Sequence, residues 1–241
     1  MEENTILEKL GAFGLTRQEA NIYLCLFQQG EQNGYEVAKH TGISRSNVYS
    51  GLSALTDKGA AYLIEGDSSK YMAVPIKEFC ENKIRNLNRE KEYLQQNIPS
   101  VKNKEIGYIT ISGSQNIWDK IICMIRGAEK RIYFSASVKV IEKLQNEFSK
   151  VIKNGIKLVL ITDNEIGDLE YIKGCICYIG SARENNIRLI IDSEYALTGE
   201  LTGRKEDTCL YTGQKNFIVV FKENLRNEIK LIQLQGGEVH E

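Results

Sequence analysis

Proline and histidine are almost missing from this 241-residue chain, which holds two of each. Proline breaks helix interiors, so long helices are free to form wherever Pro75 and Pro99 do not stand. With only His40 and His240, a Cys/His zinc site is poorly supplied. No run approaches the ~20 apolar residues that a membrane helix needs. The opening Met1-Glu2-Glu3-Asn4 is acidic and lacks the apolar stretch of a secretory signal. A cytoplasmic protein with no membrane partner is expected, with its six cysteines as free thiols. Cys175 and Cys177 form a CxC pair that faces one side of a strand. A metal pair is one reading of it, and a plain core strand is the better one. No cofactor and no metal are expected. Net charge is lacking as well, at −1. Residues 1–75 carry six Lys/Arg against nine Asp/Glu, a net of −3. Nucleic-acid binders usually show a basic face, so any such face here must be local.

What is present begins with helices. Ile6, Leu7 and Leu10 share one side of a segment that Gly14 ends. Thr16-Arg17-Gln18-Glu19 reads as a capping box before an apolar helix running from Ala20 to Phe27 and closed by Gly30. Asn33-Gly34-Tyr35-Glu36 is a second cap, opening a short helix through Lys39. After the turn Thr41-Gly42-Ile43, Ser44 caps a third helix, with Ile43 and Val48 placed as a hydrophobic staple. Val48, Leu52 and Leu55 form its apolar stripe, and Ser46, Tyr49, Ser50 and Ser53 its outer face. Lys58-Gly59 stops it. Residues 61–65 and 70–74, around Gly66-Asp67-Ser68-Ser69, predict a hairpin.

A short helix, a glycine turn and a helix with a polar outer face make a helix-turn-helix. A major groove admits one such helix, whose first turns meet base edges and phosphates. Ser44, Arg45, Ser46, Asn47, Tyr49 and Ser50 are the candidate DNA contacts. Arg45 suits guanine or phosphate, and Asn47 suits adenine from a more lateral angle. Lys70 on the hairpin is the candidate for backbone phosphate or the minor groove. A merely solvated serine-rich face is the plainer reading of the same helix.

From Ile76 to Ile98 no helix breaker occurs. Cys80, Ile84, Leu87, Lys91, Leu94 and Ile98 recur at alternating spacings of four and three, which is a coiled-coil seam with one polar position. Beyond Pro99 the pattern alternates between types. Strands are expected at 106–111, 131–135, 156–161, 175–179, 188–191, 195–197, 209–212 and 217–220. Helices are expected at 114–126, 138–153 and 221–234. Such alternation suggests a layered sheet. The expected class is an α+β multidomain chain: a winged helix-turn-helix at 1–75, a dimerisation helix at 76–98 and an α/β sheet domain at 105–241.

Residues 6–98 resemble the TrmB-type winged-helix regulators. The resemblance is carried by LGAFGLTRQEANIYL from Leu10 and TGISRSNVYSGLSALTDKGA from Thr41. It implies a dimeric repressor or activator of double-stranded DNA whose C-terminal part senses a ligand, often a sugar. That C-terminal part is similar to half of a phospholipase D-like domain, whose motif is His-x-Lys-x4-Asp followed by x6-Gly. Asp192 and Gly199 stand at that spacing, but Asn185 and Ile187 occupy the histidine and lysine positions. The imidazole that such chemistry needs is missing, which implies an inactive frame kept as sensor or dimer scaffold. Ser135, Ser137, Thr162, Asp163, Arg188 and Asp192 are the candidate groups for a sugar- or phosphate-like effector. The rival reading is a phosphodiesterase or nuclease brought to DNA by the helix-turn-helix, with Asp163 and Asp168 after a strand, where α/β sites lie. A pure protein-interaction module working through residues 76–98 is the third.

Overall fold

The computed structural model describes residues 2–66, 68–99, 107–166, 173–181, 184–234 and 239–240. The chain divides into two compact units, 1–101 and 102–241. The first opens with α1 (Glu2–Ala12), α2 (Arg17–Gln29), α3 (Gly34–Thr41) and α4 (Arg45–Asp57). Both predicted capping boxes form, at Thr16/Glu19 and at Asn33/Glu36. Each satisfies N–H groups that a helix start otherwise leaves orphaned. Gly42 ends α3 in the left-handed conformation, which is why a glycine stands there. Ser44 occupies the cap position of α4, but its side chain makes no capping bond, contrary to expectation.

Val48, Leu52 and Leu55 are fully buried against Ile22, Leu26 and Val37, and Ile43 packs at the margin of the same cluster. α2 and α4 approach so closely that a Cβ on Gly51 would lie 2.5 Å from Ile22 Cδ1. The hairpin forms from β2 (Ala61–Ile64) and β3 (Lys70–Ala73), in antiparallel register from Ala61↔Ala73 to Ile64↔Lys70. A strand of two residues, β1 (Gln32–Asn33), adds to β3, completing a three-stranded wing. Asp67, at the expected turn, lies outside the described residues.

α5 (Ile76–Asn97) follows Pro75. At 22 residues it is about 33 Å long. It is rooted in the first unit by Phe79, which is buried and 6.0 Å from the Tyr23 ring. Cys80, expected in the seam, is half-buried against that same core. The exposed stripe therefore starts at Ile84. Ile98 stands just past the helix, in extended conformation.

The second unit is built on an eight-stranded sheet. Its strands are β4 (Tyr108–Ser112), β5 (Arg131–Ser135), β6 (Lys157–Thr162), β7 (Ile176–Ile179), β8 (Asn186–Ile191), β9 (Tyr195–Glu200), β10 (Thr208–Thr212) and β11 (Val239–His240). Their order is β11-β7-β6-β5-β8-β9-β10-β4. β5, β6 and β7 run parallel, and the other pairings are antiparallel. One face packs against α6 (Ser114–Arg126), α7 (Val138–Lys143) and α8 (Gln145–Lys153), the other against α9 (Lys215–Leu234). Cys175 and Cys177 lie buried in the first of these cores, as a core strand would place them.

Two expectations fail here. Residues 138–153 make two helices, because the chain turns at buried Leu144, whose N–H bonds to Ile141 O. Residues 217–220, expected as a strand, belong to α9. The Phe-Ile-Val-Val run favours a strand locally, but Ile218, Leu225 and Ile232 recur every seven residues and are buried on the sheet. Helical burial outweighs that local preference, and Val219 and Val220 are left exposed. No helix among the described residues is long and apolar enough to cross a membrane.

Candidate functional site

In the first unit, Ser44, Arg45, Ser46, Asn47, Tyr49 and Ser50 are all exposed, on the first two turns of α4. Arg45 is held in place: its guanidinium lies 4.5 Å from the centre of the Tyr35 ring. This cation–π contact pre-orders a long side chain that would otherwise lose rotamer entropy on binding. Tyr49 packs beside the start of α3, where a Cβ on Gly34 would come within 2.6 Å of its ring. Gly34 is thus the residue that lets the two helices meet. Sequence reasoning misses Tyr35, whose only signal is its place two residues after the Asn33 cap.

The orientation of α4 is fixed from its other end. Lys58 Nζ lies 2.6 Å from Glu19 Oε2 and donates to Gly14 O at 2.9 Å. Burial pushes the Glu19 carboxyl up, but Lys58 and the Thr16 N–H outweigh it and hold the group below its ordinary range. The acidic surplus is thereby partly accounted for. Glu19 is paired internally, Glu36 is spent in a capping box, and Glu31 sits 3.2 Å from Lys70. α4 itself carries no acid before Asp57. Lys70, expected to face DNA phosphate, opens wing strand β3 and forms a half-exposed ion pair with Glu31.

In the second unit five of the six expected effector groups gather at one end of the sheet's strands, and Asp192 stands apart from them. Ser135 and Thr162 end the parallel strands β5 and β6, and Arg188 lies opposite Ser135. All are at one end of these central strands, near Ser137 and Asp163. Asp192 follows β8 at the opposite end of the strands, where its N–H bonds to Arg131 O at the start of β5. Six strand residues separate Asn185 from Asp192, about 20 Å of extended chain, so both cannot serve one small ligand.

The polar groups at the first of these strand ends largely satisfy one another. Arg188 reaches Glu228 at 2.8 Å, Asn224 at 3.0 Å and Ser135 at 3.2 Å. Asp163 accepts from Val138 N–H at 3.0 Å and so caps α7 from a neighbouring strand. Asp168 lies outside the described residues.

Asp192 is a clamp. Its carboxylate accepts from the N–H groups of Glu129, Lys130 and Arg131 at 2.8, 2.8 and 2.7 Å. Its own φ is +52°, a conformation that Asp and Asn tolerate better than other side chains. Burial raises its pKa, and the three N–H groups more than reverse this, leaving it below the usual carboxylate range. A carboxyl depressed by folding stabilises above its unfolded value near 3.9 and loses that contribution as pH falls through the folded value. Asp192→Ala is expected to lower stability by on the order of 2–3 kcal/mol at pH 7. The loss should shrink in denaturant titrations carried below pH 4. A variant equally destabilised at pH 7 and pH 2.5 would show that the charge is not what matters.

A family model described as "Transcriptional regulator TrmB, EBD N-terminal subdomain" matches residues 107–227. One described as "Sugar-specific transcriptional regulator TrmB" matches residues 10–77. The chain belongs to the TrmB family of transcriptional regulators. Among curated TrmB-like relatives, "HTH-type sugar sensing transcriptional regulator TrmBL1" of Pyrococcus furiosus is 29% identical over 168 residues, 68% of this chain and 49% of that protein. "Uncharacterized protein YrhO" of Bacillus subtilis is 28% identical over 171 residues, 69% of this chain and 61% of that protein. The chain thus matches about half to three-fifths of these relatives' lengths. Solved structures include TrmBL2, described as an archaeal chromatin protein, with a TM-score of 0.46 at 18% identity over 98% of each chain. The phospholipase D family member Nuc of Salmonella typhimurium scores 0.43 at 12% identity, covering 56% of this chain and 99% of that one. Superpositions at such scores establish neither fold nor function for this TrmB chain.

Proposed function

We propose that this protein is a ligand-responsive, sequence-specific DNA-binding transcriptional regulator that acts as a homodimer in the cytoplasm. Residues 1–75 serve as the reading head, 76–98 as the dimerisation helix and 105–241 as the sensing part. One observation carries the reading: an exposed, acid-free helix face whose single arginine is held in place by Tyr35. The helix start adds to it. Ser44 does not cap α4, so its hydroxyl and the first-turn N–H groups are available to a phosphate, the usual partner of a helix N-terminus. A symmetric pair of such heads reads an approximate palindrome.

The decisive measurement is fluorescence anisotropy on operator DNA, selected from a random duplex pool, across a salt series. Arg45→Ala should lose roughly 1–3 kcal/mol per half-site through a bidentate base contact, with the preference at one base relaxed. Unchanged affinity would remove Arg45 from the interface. The rival, a phosphodiesterase, is disfavoured by Asn185 and Ile187 at the histidine and lysine positions and by the commitment of Asp192 to backbone N–H groups. Turnover of a generic phosphodiester by the purified chain would reinstate it.

A further inference from the structure

On the α9 side of the sheet lies a cavity of about 200 Å³. Its floor is aliphatic, including buried Ile190 and Leu225. Two tyrosines, Tyr133 and Tyr178, stand in its wall. Three cations line it as well: Lys157 from the start of β6, and Lys222 and Arg226 one turn apart on α9. No acidic side chain is among the described lining residues. Lys222 donates to Ser193 Oγ at 2.9 Å, which holds its ammonium beside the β8–β9 turn. The neighbouring Asp192 carboxylate is occupied by three backbone N–H groups and so competes little for these cations.

Strand alternation explains the arrangement. Ile132 and Phe134 of β5 enter the core beneath α6 and α8, so Tyr133 between them must face α9. Tyr133, Val159, Ile176 and Ile190 are register neighbours across four strands, which makes one continuous wall. On α9, Lys222 and Arg226 share a stripe four residues apart, alongside Leu225 and Ile229. Three positive charges around one small, partly apolar space favour a dianion over a single carboxylate. The volume matches about seven waters at ~30 Å³ each, the scale of a short phosphorylated metabolite.

We propose that this cavity between α9 and the sheet binds a small phosphate monoester, and that this ligand is the regulator's effector. The phosphate sits among Lys157, Lys222 and Arg226, and the carbon skeleton lies between the tyrosines and the aliphatic floor. The strand ends that hold Ser135 and Arg188 are a different place. The effector role rests on the regulator reading above, whereas the binding itself does not.

The test is calorimetry on the full chain with three probes: inorganic phosphate, glycerol 3-phosphate and uncharged glycerol. Saturable binding of both phosphates and none of glycerol is expected, with the ester tighter if the skeleton pocket is used. Lys222→Met with Arg226→Met keeps the apolar stems and should weaken glycerol 3-phosphate at least 30-fold without changing the melting temperature of the unliganded chain. Lys157→Met, at the exposed start of a strand, is a second variant and should weaken it severalfold. Failure of both phosphates to saturate, or equal binding by the double variant, would overturn the site. An anisotropy titration on operator DNA with and without glycerol 3-phosphate then separates the two levels. Binding that leaves DNA affinity unchanged supports the site and removes the effector role.

Discussion

Replacing Leu87 and Leu94 together by aspartate is expected to turn a dimer into monomers and to cost operator binding a hundredfold or more. Ile84, Leu87, Leu94 and Ile98 are 50%, 58%, 50% and 62% exposed in the single chain. They lie along α5 and its end, and between Leu87 and Pro99 they border a shallow groove. Aliphatic side chains at such a period stay in water only at a cost. Burying a fully exposed aliphatic side chain contributes about 1.5–3 kcal/mol. Leu87 and Leu94 are already about half buried in the single chain, so two leucines from each of two protomers supply roughly 3–6 kcal/mol. Ile84 and Ile98 of both protomers add a similar amount, and the freedom lost by two associating chains is set against the sum. Lys91 in mid-stripe restricts register and partner number, as a polar core position does. Aspartates at 87 and 94 would leave charges unpaired inside the interface. The monomer would keep its reading head but lose the gain from tethering two half-sites, commonly 10²–10⁴ in affinity. Sedimentation velocity reads the first effect and anisotropy the second. A double variant that still sediments as a dimer would place the pairing surface in the C-terminal unit.

Gly199→Ala is expected to lower the stability of the C-terminal unit by about 3 kcal/mol or more. A Cβ there would lie 2.4 Å from the carbonyl oxygen of Thr208 and 2.6 Å from Cys209 Cα, on the paired strand β10. The obstacle is backbone, so no side chain can rotate away. Overpacking of a core usually costs ~1–3 kcal/mol, and the need to push β9 and β10 apart puts this case at the upper end. A loss of that size would lower the melting temperature by roughly 10 °C in a unit of this length. Gly107→Ala is the control, since nothing lies within 4 Å of the added carbon. Equal melting of Gly199→Ala and the parent would mean that β9 and β10 are farther apart than these distances.

Asp192 and Gly199, which match the spacing of a phospholipase D-like motif, each have a structural role in this sheet. Asp192 ties the start of β5 to the β8–β9 turn, and Gly199 lets β9 and β10 approach. Both contacts hold the sheet together independently of any chemistry. Where the motif has histidine and lysine, the Asn185 carbonyl accepts from Leu201 N–H at 2.8 Å and Ile187 is buried core. The motif spacing is visible in the sequence. That Asp192 and Gly199 stand near opposite strand ends of the sheet is not.

Local rules are enough for the N-terminal half. Capping boxes, glycine stops, a turn-rich hairpin and a three-four stripe act within a few residues, so the helix-turn-helix, the wing and α5 follow from sequence alone. The same rules fail wherever distant segments decide. Cys80 fits the α5 stripe but packs back on its own unit's core, because Phe79 anchors that turn. Residues 217–220 favour a strand until the sheet offers a face on which Ile218, Leu225 and Ile232 can be buried. Arg45 is legible as a DNA contact, but its placement over Tyr35 depends on how α3 meets α4 at Gly34. The cationic cavity draws on β5, β6, β7, β8 and α9, residues 133 to 229. No window of sequence contains it, because burial and charge convergence are properties of packed segments.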